Sequence, residues 1–199
     1  MPTALYNSIQ LKDLAISDPT LNARGARSSS VATAQGKPVV LRLPTLRAPF
    51  GATSWEDDGR TRKNLDLTEM PPELLTWLRK LDDWCISTAT KMSAKLFKSQ
   101  KTEAEVRGMY VSLIKEGKEG YEPTLRCKAN LGGSGVIRAW EQTEDGIKRR
   151  ELPPIEDWRN ARLEAVVSIS SLWLQSKSFG LTCTITDAVI ECGEAECPF

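Results

Sequence analysis

The chain has 199 residues, of which 40% are apolar and 27% are charged, so its length and composition suit one globular domain with a flexible arm at most. Lys and Arg number 27 and Asp and Glu number 26, so the net charge is only +1 and nucleic-acid binding would depend on local basic patches. The chain has no histidine, which excludes Ser-His-Asp and Cys-His triads and histidine-ligated zinc or iron sites. We therefore expect no enzymatic activity, no metal and no cofactor.

The five cysteines are Cys85, Cys127, Cys183, Cys192 and Cys197. Their number is odd and no two are spaced as Cys-x-x-Cys, which favours buried reduced thiols over a zinc ribbon or a disulfide framework. No apolar run approaches the roughly 20 residues that span a bilayer, and the N-terminus lacks the pattern of a secretory signal. We expect a protein of the cytoplasm or nucleus that has no membrane partner.

Residues 1–37 differ from the rest of the chain. The stretch 23–36 is small and polar, which predicts a flexible N-terminal arm, although Ile9, Leu11 and Leu14 could form a short strand before it. The domain proper is expected over 38–190, and it opens with short strands at 39–43 and 65–67.

The clearest helix follows Pro71 and Pro72, which suit a first turn. Apolar residues then recur every three or four positions, which predicts an amphipathic helix over 74–97. On another flank Lys91, Lys95 and Lys98 line up at i, i+4 and i+7. Such a row is usually a solvated face, but it is also a candidate for phosphate contact.

Thr102 and Glu105 have the spacing of a capping box, which predicts a second helix that ends at Gly117. The two helices together make a helical insert at about 72–116.

The remainder is rich in strand patterns. Alternation over 124–131 places Cys127 on one face and Arg126 and Lys128 on the other, and the Asp145-Gly146 pair predicts a hairpin. The last two strands, 163–173 and 179–186, alternate most regularly. Runs of strands joined by turns favour a small antiparallel Greek-key barrel or sandwich.

Six tryptophans are many for this length. Aromatic rings beside Lys or Arg are what single-stranded nucleic acid requires, because bases stack on rings and cations follow the phosphates. The stacking candidates are Trp140, Trp173 and Phe179, with core packing as the alternative for each. The phosphate candidates are Lys91, Lys95, Lys98, Arg126, Lys128, Arg138 and Lys177.

The C-terminal segment 191–199 is acidic and ends in an aromatic residue. Glu194, Glu196 and Phe199 could bind partner proteins, or could occupy a basic groove until DNA displaces them. A purely solubilising tail is the alternative.

Three segments carry a family resemblance: Leu-Arg-Ala-Pro-Phe-Gly at 46–51, Tyr-Glu-Pro-Thr-Leu-Arg-Cys-Lys at 121–128 and Leu-Trp-Leu-Gln-Ser-Lys-Ser-Phe-Gly-Leu-Thr at 172–182. In this order, over roughly residues 40–190, the chain resembles a protein family of large algal DNA viruses and protists. That family is distantly similar to phage single-stranded-DNA-binding proteins, which have an OB-fold and an acidic C-terminal tail ending in phenylalanine.

The resemblance implies a mainly β protein with an α insertion, namely an OB-like antiparallel Greek-key barrel with a two-helix insert. It implies sequence-independent binding of single-stranded DNA in replication, recombination or repair, with replication proteins as partners of the tail. A homodimer is compatible with this interpretation. The alternatives are a structural, virion or assembly module that binds no nucleic acid and, less favoured, an enzyme that uses carboxylates and a metal.

Overall fold

The computed structural model describes residues 4–21, 25–53, 62–132, 135–143, 146–149 and 158–191. In these residues the strands are β1 Ala4–Leu5, β2 Leu14–Ile16, β3 Thr20–Leu21, β4 Arg27–Thr33, β5 Val39–Ala48, β6 Ala52–Thr53, β7 Arg62–Leu67, β8 Tyr110–Val111, β9 Ile114–Lys115, β10 Thr124–Asn130, β11 Arg138–Thr143, β12 Gly146–Arg149, β13 Ala161–Leu174 and β14 Phe179–Glu191. The α-helices are α1 Pro72–Lys91, α2 Ser93–Phe97 and α3 Glu103–Met109. The protein is thus mainly β with a helical insert, as the sequence predicts.

The strands form one large mixed sheet. Its main path runs β1-β5-β13-β14-β10-β7-β6. Strand β14 pairs antiparallel with β13 on one edge, and parallel with both β10 and β11 on the other. The sheet is not closed, but its two ends approach each other at an isolated antiparallel bridge between Arg47 of β5 and Thr68, directly after β7.

The predicted pairing of the last two strands is confirmed, and β13 and β14 are both longer than the sequence indicated. Two β-bulges interrupt their register, at Ser170 and at Thr186. Each bulge inserts one residue and reverses which side chains point inward. Strict alternation from Leu163 would bury Ser171, but Leu172 is the buried residue instead.

The predicted helix over 74–97 is confirmed with one interruption, because Met92 ends α1 and α2 begins at Ser93. The apolar stripe of α1, including Leu74, Leu81 and Cys85, is fully buried. We call the face of the sheet that packs against the helices the inner face, and the opposite side the outer face. Burial of the apolar stripe accounts for most of the stability of such a helix.

The capping box of α3 is present: Glu105 N–H donates to Thr102 Oγ1 at 3.3 Å, and Thr102 N–H donates to Glu105 Oε2 at 2.7 Å. The expected end at Gly117 is wrong, since the helix ends at Met109 and β8 and β9 follow. Asp82 of α1 accepts hydrogen bonds from Tyr110 at 2.6 Å and from Ser112, which hold this segment in an extended conformation.

The expectation of a flexible arm over 1–37 is wrong for residues 27–33. They form β4, whose first four residues pair with β13 from Ser171 to Leu174 and whose Ser29 and Val31 are buried. Arg27 also donates to the carbonyl oxygens of Lys95 and Leu96, at 3.1 and 3.2 Å. Small polar residues are accommodated here because a neighbouring strand provides the backbone hydrogen bonds.

Three of the cysteines lie in the core, as expected. Cys85, Cys127 and Cys183 are buried free thiols, with the last two 3.5 Å apart between their sulfur atoms. Cys192 and Cys197 lie outside the described residues. Among the helices of the described ranges, none combines the length and the apolar character needed to cross a membrane.

Candidate nucleic-acid interface

The parallel pairing of β10 and β11 with the same edge of β14 brings four predicted site residues into line. Lys128 lies beside Thr184, Arg138 beside Asp187 and Trp140 beside Val189, and Arg126 precedes Lys128 by two residues. Alternate residues of a strand share a face, so all four side chains belong to the outer face. From the level of Arg126 to the level of Trp140 is about seven residues along β14, which at about 3.3 Å per residue makes a line of about 23 Å. We call Arg126, Lys128 and Arg138 the basic row.

Both arginines of the basic row rest on a carboxylate from the next strand. Arg126 donates through Nε and Nη2 to Asp66 at 3.0 and 3.1 Å, and Arg138 contacts Asp187 at 2.7 Å through Nε and 2.8 Å through Nη2. The Asp66 and Asp187 side chains are only 14% and 17% exposed, against 46% and 57% for the arginines. A ligand approaching the outer face therefore meets the guanidinium groups before the carboxylates.

The ionisation of these pairs agrees with their geometry. The hydrogen bond to Asp66 raises the pKa of Arg126, and the bond to Asp187 raises the pKa of Arg138. Partial burial acts to raise the pKa of Asp187, but the hydrogen bonds from Arg138 and Trp140 lower it overall. Both guanidinium groups thus remain charged and fixed in direction.

Lys128 has a different environment. Its side chain is half-buried and donates to the amide oxygen of Asn64 on β7. Burial, followed by the charges of Arg62 and Arg126, lowers the pKa of Lys128. An anion bound on the outer face would favour the charged form of Lys128.

Two tryptophans lie on this face, one near each end. The Trp140 indole N–H donates to Asp187 at 3.3 Å, and the ring is half-buried. Trp173 of β13 is half-buried and lies against Gly180, because the bulge at Ser170 turns it to the outer face. Both rings are fixed in place and keep part of their surface exposed.

The third stacking candidate is wrong. Phe179 is completely buried and its ring packs against Phe97 at 5.1 Å and Tyr110 at 5.3 Å between centroids. It lies on the inner face, so it joins the helices to the sheet and is not available to a base.

The predicted lysine row is separate from the basic row. Lys91 ends α1, Lys95 lies on α2 and Lys98 follows α2; all three are exposed, and α2 packs against the inner face of the sheet. Lys95 forms an ion pair with Asp18 at 2.8 Å. Lys177 lies in the exposed turn between β13 and β14, near the Trp173 end of the outer face.

The acidic end of the chain is only partly described. Strand β14 continues to Glu191, so Asp187 belongs to the sheet and supports Arg138. Glu194, Glu196 and Phe199 lie outside the described residues, and so the predicted partner-binding tail has no structural description.

A groove of about 610 Å³ lies at the Arg126 end of the basic row. Asp66, the partner of Arg126, and Thr124, two residues before Arg126 on β10, both line it. Two aromatic side chains enter the groove from separate loops: Phe50 is 60% exposed and Tyr121 is 78% exposed.

The sequence interpretation did not name Phe50 or Tyr121 as binding residues. A signal was present, since Phe50 lies between Pro49 and Gly51 and Tyr121 follows Gly120. Proline and glycine beside an aromatic residue predict a loop, and a loop on the surface leaves the ring exposed.

Comparison with known proteins adds no relative: no protein-family model matches the chain, and no curated protein sequence matches it.

Proposed function

We propose that the protein binds single-stranded DNA, without sequence preference and without catalysis, along the outer face of β10, β14 and β11. The observation that carries this proposal is the alignment of Arg126, Lys128 and Arg138 with Trp140 beside one strand. A row of cations with adjacent exposed aromatic surface suits an extended strand, whose phosphates and bases alternate.

The arginines can contact phosphate without losing their acidic partners. A guanidinium group has five N–H donors, and Asp66 occupies only two of those on Arg126. Because the carboxylates lie beneath, they orient the arginines instead of blocking them. A phosphate can therefore use the remaining N–H donors while the ion pair stays in place.

We further propose that the five strands of the main path that are longer than two residues form a partly open OB-type barrel. In chain order these are β5, β7, β10, β13 and β14, and the path β5-β13-β14-β10-β7 returns to β5 through the bridge at Arg47 and Thr68. OB-folds bind oligonucleotides on the face of their second and third strands. Here those strands are β7 and β10, which carry Asp66, Arg126 and Lys128.

The chemistry of the row favours binding without sequence preference. Arginine and lysine contact the backbone, which is the same at every nucleotide, and a tryptophan ring stacks on any base. A single strand is favoured over a duplex because its bases are free to stack on Trp140 and Trp173.

The proposal is tested by titrating a labelled oligothymidine with the protein and following fluorescence anisotropy, with duplex DNA and RNA of the same length as competitors. Two double variants are compared with the wild type. The first variant reverses the charge of two residues of the basic row, Arg126→Glu with Lys128→Glu. The second is the matched control on the helices, Arg107→Glu with Lys95→Glu, which changes the charge equally at two exposed residues.

We expect the wild type to bind the single strand in a salt-sensitive way. The row variant should lose this binding, and the helix variant should retain it. Thermal unfolding of each variant shows whether it is folded. If the two variants weaken binding equally, the basic row is not the site. If the wild type does not bind at low salt, the function is wrong and a structural or assembly module becomes the first alternative.

A further inference from the structure

We propose that the groove at the end of the basic row holds a base of the bound strand against Phe50 and Tyr121; this inference rests on the single-stranded DNA binding proposed above. The site would thus consist of two parts, a row that contacts phosphates and a groove that takes a base. No residue of the groove was assigned this role from the sequence.

The groove is continuous with the basic row. Asp66 belongs to both, because it lines the groove and accepts two hydrogen bonds from Arg126. Thr124 also lines the groove and shares the outer face of β10 with Arg126. A strand whose phosphate is bound at Arg126 therefore reaches the groove with its next nucleotides.

The charges of the groove favour a base over a phosphate. Its carboxylates are already engaged: Glu69 pairs with Arg47 at 3.6 Å, and Glu122 accepts from Thr68 Oγ1 and from the Glu69 N–H at 3.2 Å each. The described lining contains three basic and four acidic side chains, so these residues carry no net positive charge. An uncharged planar group can bind here without displacing these contacts.

The two rings are unusually exposed for residues of their size. Burying an aromatic side chain is favourable by a few kcal/mol, so two exposed rings in one concave surface suit a ligand that covers them. Among aromatic ligands, a base offers a flat face to each ring.

The loops that carry the rings have fixed geometry. Gly117 packs directly against the backbone of Tyr121. A Cβ atom on residue 117 would be 2.0 Å from the Tyr121 carbonyl oxygen, so only glycine fits there. On the other side of the groove, the Gly51 N–H donates to the Ala48 carbonyl at 3.3 Å and closes the turn that contains Phe50. A fixed loop backbone reduces the conformational entropy that is lost when a base binds.

The test uses the full chain and a labelled oligothymidine of about 15 nucleotides, a length within the range bound by one OB-fold. The variants are Phe50→Ala, Tyr121→Ala and Tyr121→Phe. Leu21→Ala is the matched control, because Leu21 is a large side chain that is 68% exposed on β3, away from the groove.

We expect each alanine variant at Phe50 and Tyr121 to bind about five-fold more weakly or worse, since removing one stacking ring costs at least about that factor. The salt dependence should not change, because neither ring contacts a phosphate. Tyr121→Phe and Leu21→Ala should bind within about two-fold of the wild type. An oligonucleotide with 2-aminopurine in place of one thymine should show fluorescence quenching that both alanine variants reduce.

Three outcomes would overturn the inference. If both alanine variants bind like the wild type while binding remains salt-sensitive, the groove is not used and the function at the basic row stands. If Tyr121→Phe fails to restore affinity, the contact depends on the hydroxyl group and is not stacking. If the wild type does not bind at all, both the inference and the proposed function are wrong. Because Phe50 and Tyr121 are exposed, we expect all variants to fold, which thermal unfolding checks.

Discussion

Replacing the cations of the basic row by glutamine, one at a time, should reduce the salt dependence of DNA binding in equal steps. Each phosphate neutralised on a single strand contributes about −0.7 to the slope of log K against log salt. With Arg126, Lys128 and Arg138 each on one phosphate, the row contributes about −2.1. Raising the salt from about 50 to about 200 mM should then weaken wild-type binding about 18-fold through these contacts alone.

The three positions should not lose equal affinity, because their surroundings differ. Lys128→Gln removes a charge that is hydrogen-bonded to the neutral Asn64 amide, so no carboxylate loses a hydrogen-bonded cation. Arg126→Gln also leaves Asp66 without its cation, and this carboxylate would then repel the phosphate. We therefore expect Arg126→Gln to bind more weakly than Lys128→Gln. Adding Asp66→Asn to Arg126→Gln should recover part of the loss.

The assay is fluorescence anisotropy of a labelled oligothymidine at four or more salt concentrations, with Arg107→Gln as the control of equal charge change. Each row variant should lower the magnitude of the slope by about 0.7, and the triple variant by about 2. The reasoning is refuted if the triple variant keeps the wild-type slope, or if Arg107→Gln lowers the slope as much as a row variant does.

Three further predictions concern the fold that positions the site. Gly180→Ala should destabilise the protein by about 1–3 kcal/mol, because the new Cβ would lie 2.6 Å from the Val111 carbonyl oxygen and 2.9 Å from the Trp173 ring; unchanged denaturant unfolding would contradict this packing. Because Arg138 helps to keep the pKa of Asp187 below its usual range of about 3.9, their pairing stabilises the protein at neutral pH and is lost as the pH falls below about 4. Arg138→Gln should therefore show a smaller fall in Tm between about pH 6 and pH 3 than the wild type, and an equal fall would refute the pairing. Phe179→Ala should cost about 3–5 kcal/mol of unfolding free energy, since the ring is fully buried; weakened DNA binding at unchanged stability would instead restore it as a stacking residue.

Much of the local structure was predictable from the sequence, because it depends on neighbours in the chain. The apolar spacing of α1 and the capping box at Thr102 act within a few turns of helix, and both are present as predicted. β11 and β12 pair antiparallel, as the predicted hairpin requires, although Asp145 itself lies outside the described residues. Alternation likewise identified β10 and the inward position of Cys127.

The failures share one cause, which is that partners distant in sequence decided the outcome. Strand β4 has no apolar alternation to reveal it, and forms because β13 offers an unpaired edge. Phe179 was a stacking candidate with core packing as the alternative, and its contacts with Phe97 and Tyr110 decide for the core. Trp173 does face outward, but through the bulge at Ser170, which no residue pattern in β13 indicates.

By itself, the sequence determined that this chain is mainly β with a helical insert, that three of its cysteines are core residues, and that its basic and aromatic residues on strands are the ones to examine. Only the tertiary structure decided which of these residues lie close together. Arg126 and Arg138 lie on different strands, and they share one line because β10 and β11 both pair parallel with the same edge of β14. Parallel pairing brings together segments that no turn connects, so side-chain periodicity along either strand does not encode it.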